Sequence, residues 1–135
     1  MKCTNNIPIA ALIMTGGVNV NGDFLSSVEV YVPSTNTSCS LPSLPAGTSG
    51  HSQDGLLLCG GYGNSRQCHT FHSDSGEWRV KTHRLSEGRD AHSSWQREDG
   101  TVLLMGGYYS PTTTEIVSDS SAVSTPGFSL KYSTL

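Results

Sequence analysis

The residues best suited to chemistry form a short segment, CHTFHSD, at positions 68–74, and His51 and Cys59 precede it in the chain. Cysteine thiolates and imidazoles are the usual protein ligands of zinc, which suggests a metal site. In an extended strand, however, neighbouring side chains such as Cys68 and His69 point to opposite faces. The paired C-x-x-C spacing of structural zinc sites is also missing from the sequence. We therefore interpret these histidines as strand residues and expect no metal site.

A second polar cluster consists of Arg89, Asp90, His92 and Ser93, which supply the groups used in acid–base or nucleophilic catalysis. His51 occupies the place equivalent to His92, upstream of another glycine pair. This recurrence favours a structural role over a unique active site. A catalytic triad also requires partners fixed by geometry, which spacing alone does not show. We expect no catalytic residue in this chain.

The elements that would position these residues recur along the chain. Glycine pairs stand at Gly16-Gly17, Gly60-Gly61 and Gly106-Gly107, with spacings of 44 and 46 residues. A recurrence at 20 to 50 residues is the mark of a repeat architecture. We expect these six glycines to be structural, because a pair after an apolar strand permits a sharp exit that a Cβ would obstruct.

Turn sequences and strand-forming residues fill the remainder of each repeat. Asp54-Gly55 and Asp99-Gly100 are dipeptides that suit tight hairpins. The 15 glycines and 6 prolines interrupt helices, and no apolar pattern with a period of 3.6 residues extends beyond a turn or two. The sequence therefore predicts an all-β protein.

Several of these features resemble the Kelch repeat family, whose repeats are four-stranded blades of a β-propeller. They are the glycine pairs, VEVY at 28–31, Phe71 followed seven residues later by Trp78, and Arg89-x-x-His92. The resemblance implies a partial Kelch-type β-propeller of roughly three four-stranded antiparallel blades. It covers the whole chain as a single Kelch-repeat region, residues 1–135, with units at approximately 1–44, 45–86 and 87–135.

Propellers close with about four to eight blades, so three blades would leave apolar faces and strand edges uncovered. We expect the chain to be a fragment of a larger propeller, with the remaining blades in cis. Self-association into a ring and a poorly stable relic are the alternatives.

Bulk properties exclude two classes of partner. The net charge is −3 and the lysines and arginines are scattered, so we expect no binding of nucleic acid. No apolar run approaches the roughly 20 residues of a membrane span. The apolar stretch at residues 7–14 is short and contains a proline, which argues against a signal peptide.

Four cysteines leave the redox compartment open. Cys59 and Cys68 flank a hairpin sequence and could form a disulfide across neighbouring strands, or they could pack as free thiols. The pairing of Cys3 and Cys39 cannot be assigned from spacing. A disulfide would require an oxidising compartment, and the Asn36-Thr37-Ser38 glycosylation triplet points the same way. We expect an extracellular location if the chain is part of a longer one, and a cytoplasmic location otherwise.

Binding is the function that the resemblance favours, because Kelch repeats commonly serve as noncatalytic protein-interaction modules. The loops at 18–26, 62–67 and 108–113 would present the contact residues, for loops on a rigid scaffold often carry recognition. We expect a protein partner and no cofactor. A fragment of a galactose-oxidase-like enzyme and a noncatalytic relic are the alternatives.

Within these loops the predicted contact residues are Arg66, Tyr109, Ser110 and Thr112. Tyr62 and Tyr108 each follow a glycine pair directly, and we expect them to pack against the next blade instead.

Overall fold

The chain is built from β-strands. The computed structural model describes residues 2–3, 10–54, 56–82, 84–118 and 125–131. Within these residues the eleven strands are β1 Leu12–Thr15, β2 Val28–Val32, β3 Thr37–Leu41, β4 Ser52–Asp54, β5 Leu57–Cys59, β6 Cys68–His72, β7 Glu77–Val80, β8 Ser93–Gln96, β9 Val102–Met105, β10 Thr114–Val117 and β11 Thr125–Pro126. The described residues form no helix, and so they contain no helix long and apolar enough to cross a membrane.

The strands form three sheets of consecutive strands, in the orders β1-β2-β3, β4-β5-β6-β7 and β8-β9-β10-β11. The strand pairs are antiparallel. The second and third sheets have the four strands that the repeat predicts. The first sheet has three strands in the described part of the chain, and residues 4–9 lie outside it.

The chain divides into two compact units. The first contains Met1–Ser49 and Phe71–Arg79, and the second contains Gly50–Thr70 and Val80–Leu135. In the first unit, Val28 and Val30 of β2 are buried while Glu29 between them is exposed, as expected for a strand with one covered face. The Trp78 ring lies 5.3 Å from that of Phe71, and its indole N–H donates to the Pro42 carbonyl.

The second unit has a larger apolar core. Its members are the buried residues Leu57, Cys59, Cys68, Leu85, Val102, Leu104 and Val117. The strands β5 and β9 are buried along their length or nearly so, which explains why both are continuous apolar runs rather than alternating ones. Each of these strands leads directly into a glycine pair.

The three glycine pairs adopt one backbone geometry. Their first members have φ of 60°, 71° and 66°, and their second members 104°, 102° and 109°. These values lie in the region that residues with a Cβ rarely occupy. The flanking hydrogen bonds also recur, since Gly17 N–H donates to Thr48 O at 2.8 Å and Gly61 N–H to Arg89 O at 2.9 Å. The recurring pair therefore fixes the exit of the chain from the strand that precedes it.

One predicted hairpin turn is fully described. At Asp99-Gly100 the Arg97 N–H donates to Thr101 O at 2.8 Å, and Gly100 has a φ of 85°. The Asp99 carboxylate accepts from the N–H and hydroxyl of Thr101. The other predicted turn contains Gly55, which lies outside the described residues.

Two disulfides use all four cysteines. Cys59 and Cys68 stand opposite one another on β5 and β6 and are joined, as the hairpin allowed. Cys3 is joined to Cys39 of β3, a pairing that the sequence left open. The structure therefore contains no free thiol.

Candidate functional site

Residues 85–90 of the second unit hold one exposed loop by backbone hydrogen bonds, and we call them the anchor segment. The loop comprises residues 61–67. Gly61 N–H donates to Arg89 O at 2.9 Å, and Arg89 N–H donates to Ser65 O at 2.8 Å. Leu85 N–H donates to Arg66 O at 2.8 Å. The loop is thus fixed at both ends and in the middle.

The same segment holds a second loop, residues 108–113. Tyr108 N–H donates to Asp90 O at 2.8 Å, and the Ser110 hydroxyl donates to Gly88 O at 3.0 Å. The Tyr109 ring approaches Gly88 as well, since a Cβ placed there would lie 3.7 Å from Tyr109 Cδ2. Two loops that are more than 40 residues apart in the sequence are thus attached to one stretch of chain.

A buried ion pair supports the anchor segment from beneath. Arg89 Nε lies 2.9 Å from Glu115 Oε1, and the two side chains are 1% and 0% exposed. Arg89 Nη1 also donates to the carbonyls of Gly106 and Thr113, at 2.9 and 3.0 Å. Buried charges are tolerated when they are paired and hydrogen-bonded, and each of the three guanidinium nitrogens of Arg89 donates to an acceptor.

The second oxygen of Glu115 completes the network. Glu115 Oε2 accepts from the N–H and the hydroxyl of Ser86, both at 3.0 Å. The Thr113 hydroxyl accepts from Arg89 Nη2 and donates to Glu87 Oε2 at 2.7 Å. The hydrogen bond from the Thr113 hydroxyl holds the pKa of the Glu87 carboxyl below its usual value. Strand β10 and the anchor segment are therefore joined by side chains as well.

The exposed side chains of the two loops are mainly aromatic. Tyr62, Tyr108 and Tyr109 are 52%, 64% and 57% exposed. The rings of Tyr108 and Tyr109 meet edge to face with centroids 5.2 Å apart. Arg66 is exposed in the first loop. We call these four residues the tyrosine surface, and tyrosine and arginine are types enriched where proteins bind one another.

Tyr62 and Tyr108, which we expected to pack against the next blade, are both more than half exposed in this structure. Each follows the second glycine of a pair, whose φ exceeds 100°. The chain has left the strand by that point and turns into the loop, so the apolar environment of the strand ends at the glycines.

The four predicted contact residues have different environments. Tyr109 is exposed, as is Arg66, whose Nε donates to Leu85 O at 2.9 Å. Thr112 is exposed, and its carbonyl accepts from Leu130 N–H at 2.6 Å. Ser110 is only 6% exposed because its hydroxyl is turned inward to Gly88, so it shapes the loop rather than its outer face.

The third predicted loop, residues 18–26, belongs to the first unit. The Asn19 side chain accepts from the N–H groups of Asn21 and Asp23, each at 2.9 Å, which closes a tight turn. Val20 at its tip is fully exposed.

The cluster considered for catalysis has a structural arrangement. His92 Nε2 lies 2.8 Å from Ser52 Oγ, and the Ser52 hydroxyl also reaches Cys59 O at 3.4 Å. Burial, together with the nearby Arg89 and His51, lowers the pKa of His92 to about 4. Among the described residues nothing accepts or donates a hydrogen bond at His92 Nδ1, so no carboxylate orients the ring.

The cluster considered for metal binding is used differently as well. The thiols of Cys59 and Cys68 are consumed by their disulfide. Within the part of the chain that the structure describes, no three His, Cys, Asp or Glu side chains are grouped so as to hold a metal ion.

Glu115 is the important residue that sequence reasoning missed. Its sequence context, TEIV within β10, is a carboxylate in an otherwise β-prone and largely buried strand. A charge in such a strand requires a buried partner, and Arg89 would have been the candidate. The two residues are 26 positions apart, so no local pattern links them.

Comparison with known proteins agrees with this architecture. Residues 14–45 match the family model of the Kelch motif. A search of curated proteins found no match. Among solved structures, a fungal alcohol oxidase of the AA5 family, in complex with copper, superposes with a TM-score of 0.59 at 17% sequence identity. The match covers 87% of this chain but 28% of the oxidase, so the chain spans less than a third of that protein.

These findings define the class of the protein. The chain contains a Kelch motif, and its all-β fold of three antiparallel sheets is that of a partial Kelch-type β-propeller. At 17% identity the likeness to the oxidase concerns the fold, and copper is a property of that enzyme's structure.

Proposed function

We propose that the chain is a noncatalytic protein-interaction module that binds a protein partner through the tyrosine surface. One observation carries the proposal: three exposed tyrosines lie on two loops that are tied by backbone hydrogen bonds to the same segment. Exposed aromatic residues on a fixed framework provide contact area with little loss of conformational freedom on binding.

The framework beneath the surface supports this proposal. The buried Arg89–Glu115 pair and its hydrogen bonds hold the anchor segment, and the anchor segment holds both loops. Loops that are already ordered lose less entropy when a partner binds, which strengthens the interaction. Arg66 adds a charge at the edge, where it would favour a partner with acidic groups.

An extracellular setting forms part of the proposal. All four cysteines are paired, and disulfides persist in oxidising compartments. We infer a secreted or cell-surface context, in which this chain contributes blades to a larger propeller.

The test begins with a partner captured from extracellular material by the wild-type protein and identified by cross-linking and mass spectrometry. The purified partner is then titrated against the wild type and against a Y62A/Y108A/Y109A variant. Loss of two hot-spot residues, each worth about 2 kcal/mol or more, removes about 4 kcal/mol and should weaken binding by roughly 1,000-fold. Trp95→Ala is the matched control, because Trp95 is also aromatic and more than half exposed.

Equal affinity of the partner for the triple variant and the wild type would show that the tyrosine surface is not the binding site. The competing function, a fragment of a copper oxidase, is favoured only by the fold that the chain shares with the fungal enzyme. Stoichiometric copper binding with oxidation of an alcohol would replace the interaction proposal.

A further inference from the structure

The hairpin between β2 and β3 carries the one Asn-x-Ser/Thr triplet in the sequence, Asn36-Thr37-Ser38. Residues 33–36 form the turn, and all four are exposed. Asn36 closes the turn with a φ of 51°, a left-handed conformation that asparagine tolerates better than most residues. Such a projecting turn is readily reached by an enzyme that modifies side chains.

The Asn36 side chain is exposed, and its carboxamide is held through the oxygen alone. Its Oδ1 accepts a hydrogen bond from the Tyr31 hydroxyl at 3.0 Å. No hydrogen bond joins its Nδ2 to any residue that the structure describes. A substituent on Nδ2 would therefore leave the bond to Tyr31 unchanged, because Oδ1 remains a carbonyl oxygen in a substituted amide.

The third residue of the triplet is also accessible. Ser38 lies in β3 with its side chain exposed, and it pairs with Tyr31 across the hairpin. The Asn-x-Ser/Thr pattern requires this hydroxyl for glycosylation. Both chemical groups of the triplet are thus on the outside of the same hairpin.

We propose that Asn36 is a site of N-linked glycosylation. The donor is an oligosaccharide linked through pyrophosphate to a lipid. A bond forms between Asn36 Nδ2 and C1 of the first sugar, and the bond from C1 to the pyrophosphate oxygen breaks, its electron pair leaving with the lipid pyrophosphate. One amide proton passes to a base of the transferase, and no oxidation or reduction occurs.

The disulfides provide an independent reason to place the chain where this reaction occurs. Cys39, which follows the triplet directly, is joined to Cys3, and the other two cysteines form the Cys59–Cys68 disulfide. Disulfide formation and asparagine glycosylation both belong to the secretory pathway. The proposal does not depend on the tyrosine surface, because Asn36 lies in the other compact unit.

The full chain, expressed behind a cleavable secretory leader in cultured animal cells, tests the proposal. Chains from the medium and from the cell membranes are pooled and digested with peptide N-glycosidase. We expect most wild-type chains to lose mass on digestion, with the removal site read as aspartate at position 36 by peptide mapping. Ser38→Ala should abolish the shift, whereas Ser34→Ala, a substitution in the same exposed turn, should preserve it.

Identical masses of the wild type before and after digestion would overturn the proposal. A shift that persists undiminished in both Ser38→Ala and Asn36→Gln would also overturn it, because the sugar would then be attached elsewhere.

Discussion

Replacing Glu115 with glutamine removes one charge from a buried pair and keeps the size of the side chain. In the native protein Arg89 Nε lies 2.9 Å from Glu115 Oε1, and Ser86 donates twice to Oε2. Glutamine offers one acceptor oxygen, and its amide nitrogen is a donor. That nitrogen would therefore face either Arg89 Nε or the donors of Ser86. Arg89 would remain charged with no carboxylate bonded to it directly, because Glu87 is reached only through the Thr113 hydroxyl.

The size of the effect follows from burial. Removing one partner of a buried ion pair costs about 3–5 kcal/mol, because the remaining charge is left uncompensated. Whole domains are stable by about 5–15 kcal/mol, so this loss is a large part of the total. For a chain of 135 residues it corresponds to a fall in Tm of roughly 10–20 °C.

Urea unfolding, followed by β-type circular dichroism and tryptophan fluorescence, measures the change in the free energy of unfolding. Glu77→Gln is the control, because Glu77 is an exposed strand residue and its loss should change stability by less than about 0.5 kcal/mol. An R89M/E115L double variant should recover only part of the loss, since it leaves no isolated charge but removes the partners of Ser86 and of the Gly106 and Thr113 carbonyls. A cost below about 1 kcal/mol for Glu115→Gln, the value of an exposed ion pair, would refute the reasoning.

Three further perturbations test other parts of the fold. The pKa of His92 is about 4 in the folded protein and about 6.5 in the unfolded chain, so the unfolded state binds more protons between these values. The free energy of unfolding should therefore fall by up to about 3 kcal/mol as the pH drops from 6.5 to 4. In His92→Gln the urea midpoint should change less with pH across that window. The same dependence of the midpoint on pH in both proteins would contradict the lowered pKa of His92. Gly60→Ala should cost several times more than Gly63→Ala in thermal melts, because both glycines have positive φ but only at Gly60 would a Cβ strike a backbone carbonyl and the His92 ring. Equal losses of stability in the two variants would show that the positive φ, and not the Cβ clash, determines the cost. Replacing Cys59 and Cys68 together by alanine should lower the free energy of unfolding by about 3 kcal/mol, which is the closure entropy of a loop of this size. Alkylation of both thiols in the unreduced wild type would disprove the disulfide.

Recurrence in the sequence was the basis for predicting most of the fold. The glycine pairs, the Asp99-Gly100 turn and the apolar runs before the pairs are local signals, and local signals report strand, turn and exit geometry. The second and third repeats, which contain these signals most fully, form the four-stranded sheets. The first repeat, whose pattern is weaker, forms a sheet of three strands in its described part.

The remainder required contacts between distant residues. The Arg89–Glu115 pair depends on how β10 lies beneath the anchor segment, and no spacing encodes that arrangement. The burial of Ser110 and the exposure of Tyr62 likewise depend on the course of the loops, which no local pattern encodes. The direction of a loop side chain is set by the carbonyl it can reach, here Gly88 O for Ser110, and that carbonyl comes from another part of the chain.

The backbone attachment of the two loops has a consequence for how this molecule can change. Four of the hydrogen bonds that hold them use main-chain atoms at both ends, involving Gly61, Ser65, Arg66 and Tyr108. Such bonds do not depend on which side chain occupies positions 62, 66, 108 or 109. Natural variation or a designed library could therefore exchange the displayed residues while the loops keep their course, much as antibody loops vary on a constant framework.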